Sequence, residues 1–162
     1  MFTIPISIDS ETDLYEPFNP AGNTLSAGLC DYLESFVEDR EVGQEVRLEL
    51  ACAAPIDLDR FGGAYRAHVD ALARRCKTKR AKRSANAVRL LCIGVTFVVA
   101  GLALTGEVGP VLAAIISTIG SFSIWEAAAI WLEDIPSLRK RERVLGVYRR
   151  ADVSAKEKGA AI

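Results

Sequence analysis

Few side chains in this sequence have both the type and the spacing that chemistry requires. His68 is the only histidine. Cys76 lies eight residues further along the same expected helix, about 12 Å of axial rise, which is too far for a nucleophile–base pair on that helix. Cys52, on a neighbouring strand, could approach His68, but no spacing requires it, and a packing or interface role for the histidine is the simpler reading. Cys30, Cys52, Cys76 and Cys92 stand 22, 24 and 16 residues apart, which fits neither a zinc site nor a redox motif. They are expected to be reduced and to act as small apolar packing groups. Asp57 and Asp59 could pair as carboxylates, yet they stand where a helix should begin and suit that duty. Gly62 and Gly63 follow no phosphate-loop pattern, and the acidic side chains of residues 9–16 lack the ligand spacing of a calcium loop. No catalytic, cofactor-binding or metal-ligating set is expected, and the chain does not read as an enzyme.

The charges with the most to say are Arg89 and Glu126, because of what surrounds them. Residues 90–105 carry no charge, and neither do residues 108–125; only Gly106 and Glu107 separate the two runs. At about 1.5 Å per residue, each run, with a few flanking residues, reaches across a hydrocarbon layer of about 30 Å. A backbone in lipid must satisfy its own hydrogen bonds, so both runs should be helices, joined as a transmembrane hairpin by a very short turn. Arg89 lies 16 residues before Thr105 and Glu126 lies 17 after Gly109, which sets them at about the same depth. A charge inside a membrane seeks a partner, so the two are expected to pair, directly or between neighbouring copies.

The basic residues place the hairpin. Arg74, Arg75, Lys77, Lys79, Arg80, Lys82 and Arg83 precede the first run; Arg139, Lys140, Arg141, Arg143, Arg149 and Arg150 follow the second; the turn has Glu107 and no Lys or Arg. Positive residues stay on the cytoplasmic side, which puts both termini there. The clusters at 74–83 and 139–143 should contact anionic headgroups, each cation contributing about 1 kcal/mol near the surface. Trp125 and Trp131 suit the inner interface as anchors. Gly94 and Gly101 lie seven apart, and Ala113, Ser117 and Ser121 lie four apart, spacings that let helices approach closely. Nucleic acid is not an expected partner, since no aromatic residues interleave the basic run.

The soluble part must be positioned around this hairpin. The net charge of −1 conceals a split: residues 1–59 sum to −11 and residues 60–162 to +10. Phe2, Ile4, Ile6 and Ile8 alternate with polar or small residues, predicting a strand; Pro5 makes it an edge strand. Residues 9–23 should form a loop in which Leu14, Tyr15, Glu16, Pro17 and Phe18 tuck against the core. Ser26 should cap a helix over residues 27–41 with Leu29, Leu33, Phe36 and Val37 inward and Gly43 at its end. Val46, Leu48, Leu50 and Cys52 predict a second strand, ended by Pro55, and the order favours a right-handed parallel crossover. A further helix from Asp57 or Asp59 buries Leu58, Phe61, Tyr65, Val69, Leu72 and Cys76 and should continue into the membrane. The tail after Val153 is expected to fray. The expected fold is an α+β membrane protein: a small N-terminal βαβα body whose last helix continues into a two-helix transmembrane hairpin. The acidic cytoplasmic α/β body covers residues 1–76, a basic juxtamembrane helix 77–86, the hairpin 87–132 (about 87–105 and 108–128) and a basic cytoplasmic segment 133–162.

Three stretches carry a resemblance. They are Leu14-Tyr15-Glu16-Pro17-Phe18-Asn19-Pro20, the strand Val46-Arg47-Leu48-Glu49-Leu50, and Trp125-Glu126-Ala127-Ala128-Ala129-Ile130-Trp131-Leu132-Glu133-Asp134-Ile135-Pro136 followed by Arg139-Lys140-Arg141. The chain resembles an uncharacterised family of small bacterial two-transmembrane-helix proteins with an N-terminal cytoplasmic α/β body. Where that family tends to place a glutamate four residues after the tryptophan, this chain has Ala129 and carries its acid at Glu126. The resemblance implies a multi-pass protein of the bacterial inner membrane and supplies no activity. The expected function is a non-enzymatic, membrane-anchored cytoplasmic interaction module that binds a membrane protein partner or self-assembles as a homo-oligomer. The alternative is an oligomeric membrane-permeabilising or channel-like effector.

Overall fold

A computed structural model describes residues 2–8, 10–17, 24–38, 45–52 and 56–157. These form two compact units, one of residues 1–76 with 140–162 and one of residues 77–139.

The first unit is built on a three-stranded parallel sheet in the order β1 (Phe2–Ser7), β2 (Val46–Cys52), β3 (Asp152–Glu157). Ile4 pairs with Leu48 and Ile6 with Leu50, while Val153 and Ala155 stand opposite the same two leucines on the other side of β2. Ile4, Ile6, Leu48 and Leu50 are buried, whereas Pro5, Ser7 and Asp152 on the opposite face are exposed. One apolar face is what two successive right-handed crossovers in a single direction produce, because both then place their helices on the same side. Pro5 occurs where its missing N–H costs nothing. The amides of Phe2 and Ile8 bond to the carbonyls of Glu45, just before β2, and of Ala51 within it, so the odd-numbered residues between them turn their backbone groups outward. The Pro5 carbonyl accepts a hydrogen bond from the Tyr32 hydroxyl at 2.9 Å. The edge-strand expectation for β1 holds.

The expectation of two strands does not. Of the tail expected to fray after Val153, the residues up to Glu157 belong to β3, which makes β2 the central strand; residues 158–162 lie outside the described residues. The pattern of residues 152–157 is weak, with half-buried Val153 and exposed Ala155 the only apolar residues. The ladder with β2 makes them a strand, because parallel pairing supplies backbone partners whatever the side chains are.

Helix α1 (Ala27–Glu38) starts where expected, and its first turn bonds back to the Ser26 carbonyl. Its expected extension to Glu41, Gly43 after it, Phe18 in the loop and Pro55 after β2 all lie outside the described residues. Leu14 and Tyr15 do tuck inward, and Tyr15 bridges to Leu25. Helix α2 (Leu58–Ala103) begins with the Arg60 amide donating to the Asp57 carboxylate at 3.0 Å, so Asp57 is the capping acid. No proline interrupts it, and it is continuous over 46 residues.

After α2 come the single turn α3 (Thr105–Val108), then α4 (Pro110–Ala129), a π-turn over Ile130–Asp134 and α5 (Ile135–Tyr148); α2 and α5 each belong partly to both units, the second unit taking residues 77–139. The reversal turns on Gly109, not on Gly106 and Glu107: its φ of 81° is open to glycine and strained for other residues. Pro110 occupies the first helical turn, as expected. The π-turn lies just before Pro136, whose ring cannot donate to the carbonyl four residues back; wider i→i+5 bonding accommodates it.

Helices α2 and α4 meet along small residues spaced by seven. Ala87, Gly94 and Gly101 on α2 and Ala113, Gly120 and Ala127 on α4 are buried. A Cβ added at Gly94 would lie 2.7 Å from the Gly120 carbonyl oxygen, and one at Gly120 would lie 2.6 Å from the Gly94 carbonyl oxygen. A Cβ at Gly101 would lie 2.9 Å from the Ala113 carbonyl oxygen and collide with the Ser117 hydroxyl. Ala87 packs with Ala127 and Ile130. The register runs the helices in opposite directions with backbones nearly touching. A strict seven-residue period keeps such a seam facing its partner.

Candidate functional site

Two features of the structure could serve a function: the surface of the second unit and a cluster of polar side chains within the first.

All of the large apolar side chains that stand exposed among the described residues, Tyr32 excepted, lie within residues 88–132. Leu102, Val111, Phe122, Trp125 and Leu132 are 71–76% exposed. Both helices are long and apolar enough to cross a membrane, and only 17% of each apolar window is buried. A core helix of a soluble protein shows the reverse. At one end of this belt Arg83 pairs with Asp134 at 3.5 Å. Arg74, Arg75, Lys77, Lys79, Lys82, Arg139, Lys140 and Arg143 are exposed, and Arg80 is half-buried. Arg141 differs from the other expected headgroup contacts: it is half-buried and directs its guanidinium at Glu34, 3.8 Å away. Trp125 is exposed on α4 and Trp131 on the π-turn.

Arg89 and Glu126 stand at the same level, as the register of Ala87 against Ala127 requires, but the structure does not join them. Among the described residues neither makes an ion pair, and both side chains are exposed. The reason is angular. Arg89 is two residues past Ala87, about 200° round the helix at about 100° per residue, so it leaves α2 on the side away from α4. The direct form of the expected pair is therefore not formed within one chain.

The second feature brings together residues that the sequence left separate. The Cys30 thiol lies 3.4 Å from His68 Nδ1, His68 Nε2 lies 3.9 Å from the Glu34 carboxylate, and Arg141 approaches the other oxygen of Glu34. Cys30 and Glu34 are one turn apart on α1, and α2 and α5 supply the other two groups. A cysteine, a histidine and a glutamate in line have the outline of a nucleophile, base and orienting acid. The electrostatics oppose that use. Burial, with Glu34, Asp31 and Glu16 adding to it, pushes the Cys30 thiol up, whereas a reactive thiolate needs electropositive surroundings. Burial holds His68 below its ordinary value, with Glu34 pulling up and Arg75 pulling down. The neutral ring can accept the Cys30 S–H and point Nε2–H toward Glu34, which joins α2 to α1, and Arg141 adds α5 through the same glutamate. The Tyr65 hydroxyl donates to the Tyr148 carbonyl and the Tyr148 hydroxyl to the Phe36 carbonyl, at 2.9 and 3.0 Å, and these bonds fasten the same helices. Of the two candidates that the sequence offers beside His68, distance rules out Cys76 and nothing requires Cys52. The missed signal was Cys30 and Glu34 sharing one face of α1, the helix that a parallel crossover sets beside α2. Among the described residues no group of three or more His, Cys, Asp or Glu stands where it could hold a metal ion.

Comparison with protein-family models, curated proteins and solved structures finds no match. The functional reading therefore stands on the residues alone.

Proposed function

We propose that the protein is a non-enzymatic bacterial inner-membrane protein in which α2 and α4 cross the bilayer as a transmembrane hairpin and hold a cytoplasmic interaction module at its surface. The observation that carries this reading is the belt of exposed apolar side chains on residues 88–132, with basic clusters at 74–83 and 139–143. Exposing so much contiguous apolar surface to water is unfavourable, and lipid is the solvent that removes the cost. The sheet lends a second argument. β1 and β3 belong to one sheet, so a chain that enters a membrane between them must cross it an even number of times. The excess of Lys and Arg on both flanks supports a cytoplasmic location for that sheet.

The module has surface to offer a partner. Parallel sheets are normally covered on both faces, yet Thr3, Arg47, Glu49 and Ser154 are only half-buried and Pro5, Ser7 and Asp152 are exposed. The β1 edge is partly closed by Pro5 and Tyr32, so the open sheet face and the outer edge of β3 are the places for a membrane protein partner or another copy. Anionic headgroups are the lipid partner. The test is flotation of the full chain with vesicles containing anionic lipid, followed by washing in alkaline carbonate. Retention in the lipid layer is expected; recovery of a stable protein in aqueous buffer without detergent would overturn the reading.

A second reading, an oligomeric channel-like or membrane-permeabilising effector, is favoured by the two charges exposed within the belt, Arg89 and Glu126. It predicts dye leakage from vesicles on reconstitution, and tight vesicles would dismiss it.

A further inference from the structure

The belt holds one inconsistency. Arg83 and Asp134 close a polar layer at its inner end. Arg89 and Glu126 lie six and eight residues further into the apolar zone, about 9 to 12 Å along the helix axes. They are level with one another, opposite in charge, exposed, and turned so that one chain cannot join them. A bilayer removes most of the freedom with which two copies could meet. It holds every copy at one depth and in one orientation, so Arg89 of each copy is automatically level with Glu126 of its neighbour. The two charges therefore suit a head-to-tail contact, the outer side of α2 in one copy against α4 of the next.

The face of α2 that carries Arg89 is also shaped for a close neighbour. Cys92, Thr96 and Ala103 are exposed on the side away from α4, and Ala100 is half-buried there. The Thr96 hydroxyl bonds the Cys92 carbonyl at 2.9 Å, so the stripe presents no unpaired hydroxyl. Small side chains of this kind let a second helix approach within reach of a buried polar contact. Bulky exposed groups flank the stripe, Val88, Val95, Val99 and Leu102 on one side and Ile93 and Phe97 on the other, so the small side chains form a shallow channel between them.

We infer that this face of α2 is a self-association surface, on which Arg89 of one copy pairs with Glu126 of a second copy inside the bilayer. The inference rests on the membrane reading given above. The occupant is a second copy rather than a lipid headgroup because two charges need partners, and one phosphate answers only the arginine.

The experiment is energy transfer between differently labelled full-length chains reconstituted in vesicles of neutral and anionic lipid, over a range of lipid-to-protein ratios. Arg89→Glu and Glu126→Arg each set like charges against one another and should weaken self-association about tenfold, within the range typical of polar contacts between membrane helices. Mixing the two variants restores opposite charges at every contact, so the mixture should associate within about twofold of the parent. That recovery would also show that both variants fold. Equal association by parent and variants, a mixture no better than either variant alone, or an Arg89 effect that vanishes in neutral lipid would each overturn the inference. Flotation of every sample separates the two levels of the argument. Chains that fail to float refute the membrane reading, while chains that float and remain monomeric refute only the pairing.

Discussion

His68 shows how a single titratable residue can tie one helix to another, since both of its partners, Cys30 and Glu34, lie on α1. Its folded-state proton affinity is lowered by burial, so the unfolded chain binds the proton more readily than the folded one. Its contribution to stability is complete above the unfolded pKa, about 6.5, and is lost as pH falls from there through the lowered folded value. Thermal unfolding of the detergent-solubilised chain should therefore show a midpoint that falls between pH 7.5 and 5.5, and His68→Gln should flatten that dependence. Tyr148→Phe removes the bond to the Phe36 carbonyl and should cost about 1 kcal/mol, read as a lower midpoint at every pH. Cys30 illustrates what one-dimensional spacing misses: it lies 38 residues from His68, and only the crossover geometry brings the two together.

The seam between α2 and α4 belongs to the scale of elements, and there glycines differ in meaning. Gly94, Gly101 and Gly120 lie where any Cβ would strike the partner helix, whereas Gly63 has nothing within 4 Å. Gly120→Leu should destabilise the pair by about 1–3 kcal/mol through overpacking. Gly63→Ala, at an exposed helical position, should stabilise by about 0.5–1 kcal/mol. Thermal scans of both variants in one detergent give the contrast, and a neutral Gly120→Leu would mean that the helices do not pack as described. Gly94 and Gly101 were legible in the sequence as a seven-residue step. Their partners were not, because Ala113, Ser117 and Ser121 form a competing four-residue step that hides Ala113, Gly120 and Ala127. Of the four-step set only Ala113 and Ser117 face the seam. The strands divide in the same way: β1 and β2 announce themselves by period-two alternation, whereas β3 has only two apolar residues, Val153 and Ala155, set among Asp152, Ser154, Lys156 and Glu157. The physical information that makes β3 a strand lies in β2.

At the scale of the molecule, β3 joins the two ends of the chain in one sheet. Removal of residues 152–162 should therefore open the first unit rather than trim a loose tail. The expected outcome is faster proteolysis at residues 45–52 and a midpoint several degrees lower, because β2 would lose one of its two ladders. The same closure links topology to fold. If the apolar helices cross a bilayer, the acidic body and the C-terminal strand must share a compartment and the Gly109 turn must lie opposite. That account is tested most directly by labelling a cysteine introduced at Glu107, and separately tags at Met1 and Ile162, with a membrane-impermeant reagent in intact cells and in inverted vesicles. The prediction is that Glu107→Cys reacts only from outside and that both terminal tags react only in inverted vesicles. Terminal tags on opposite faces, or a turn cysteine that reacts from the same side as the tags, would contradict it.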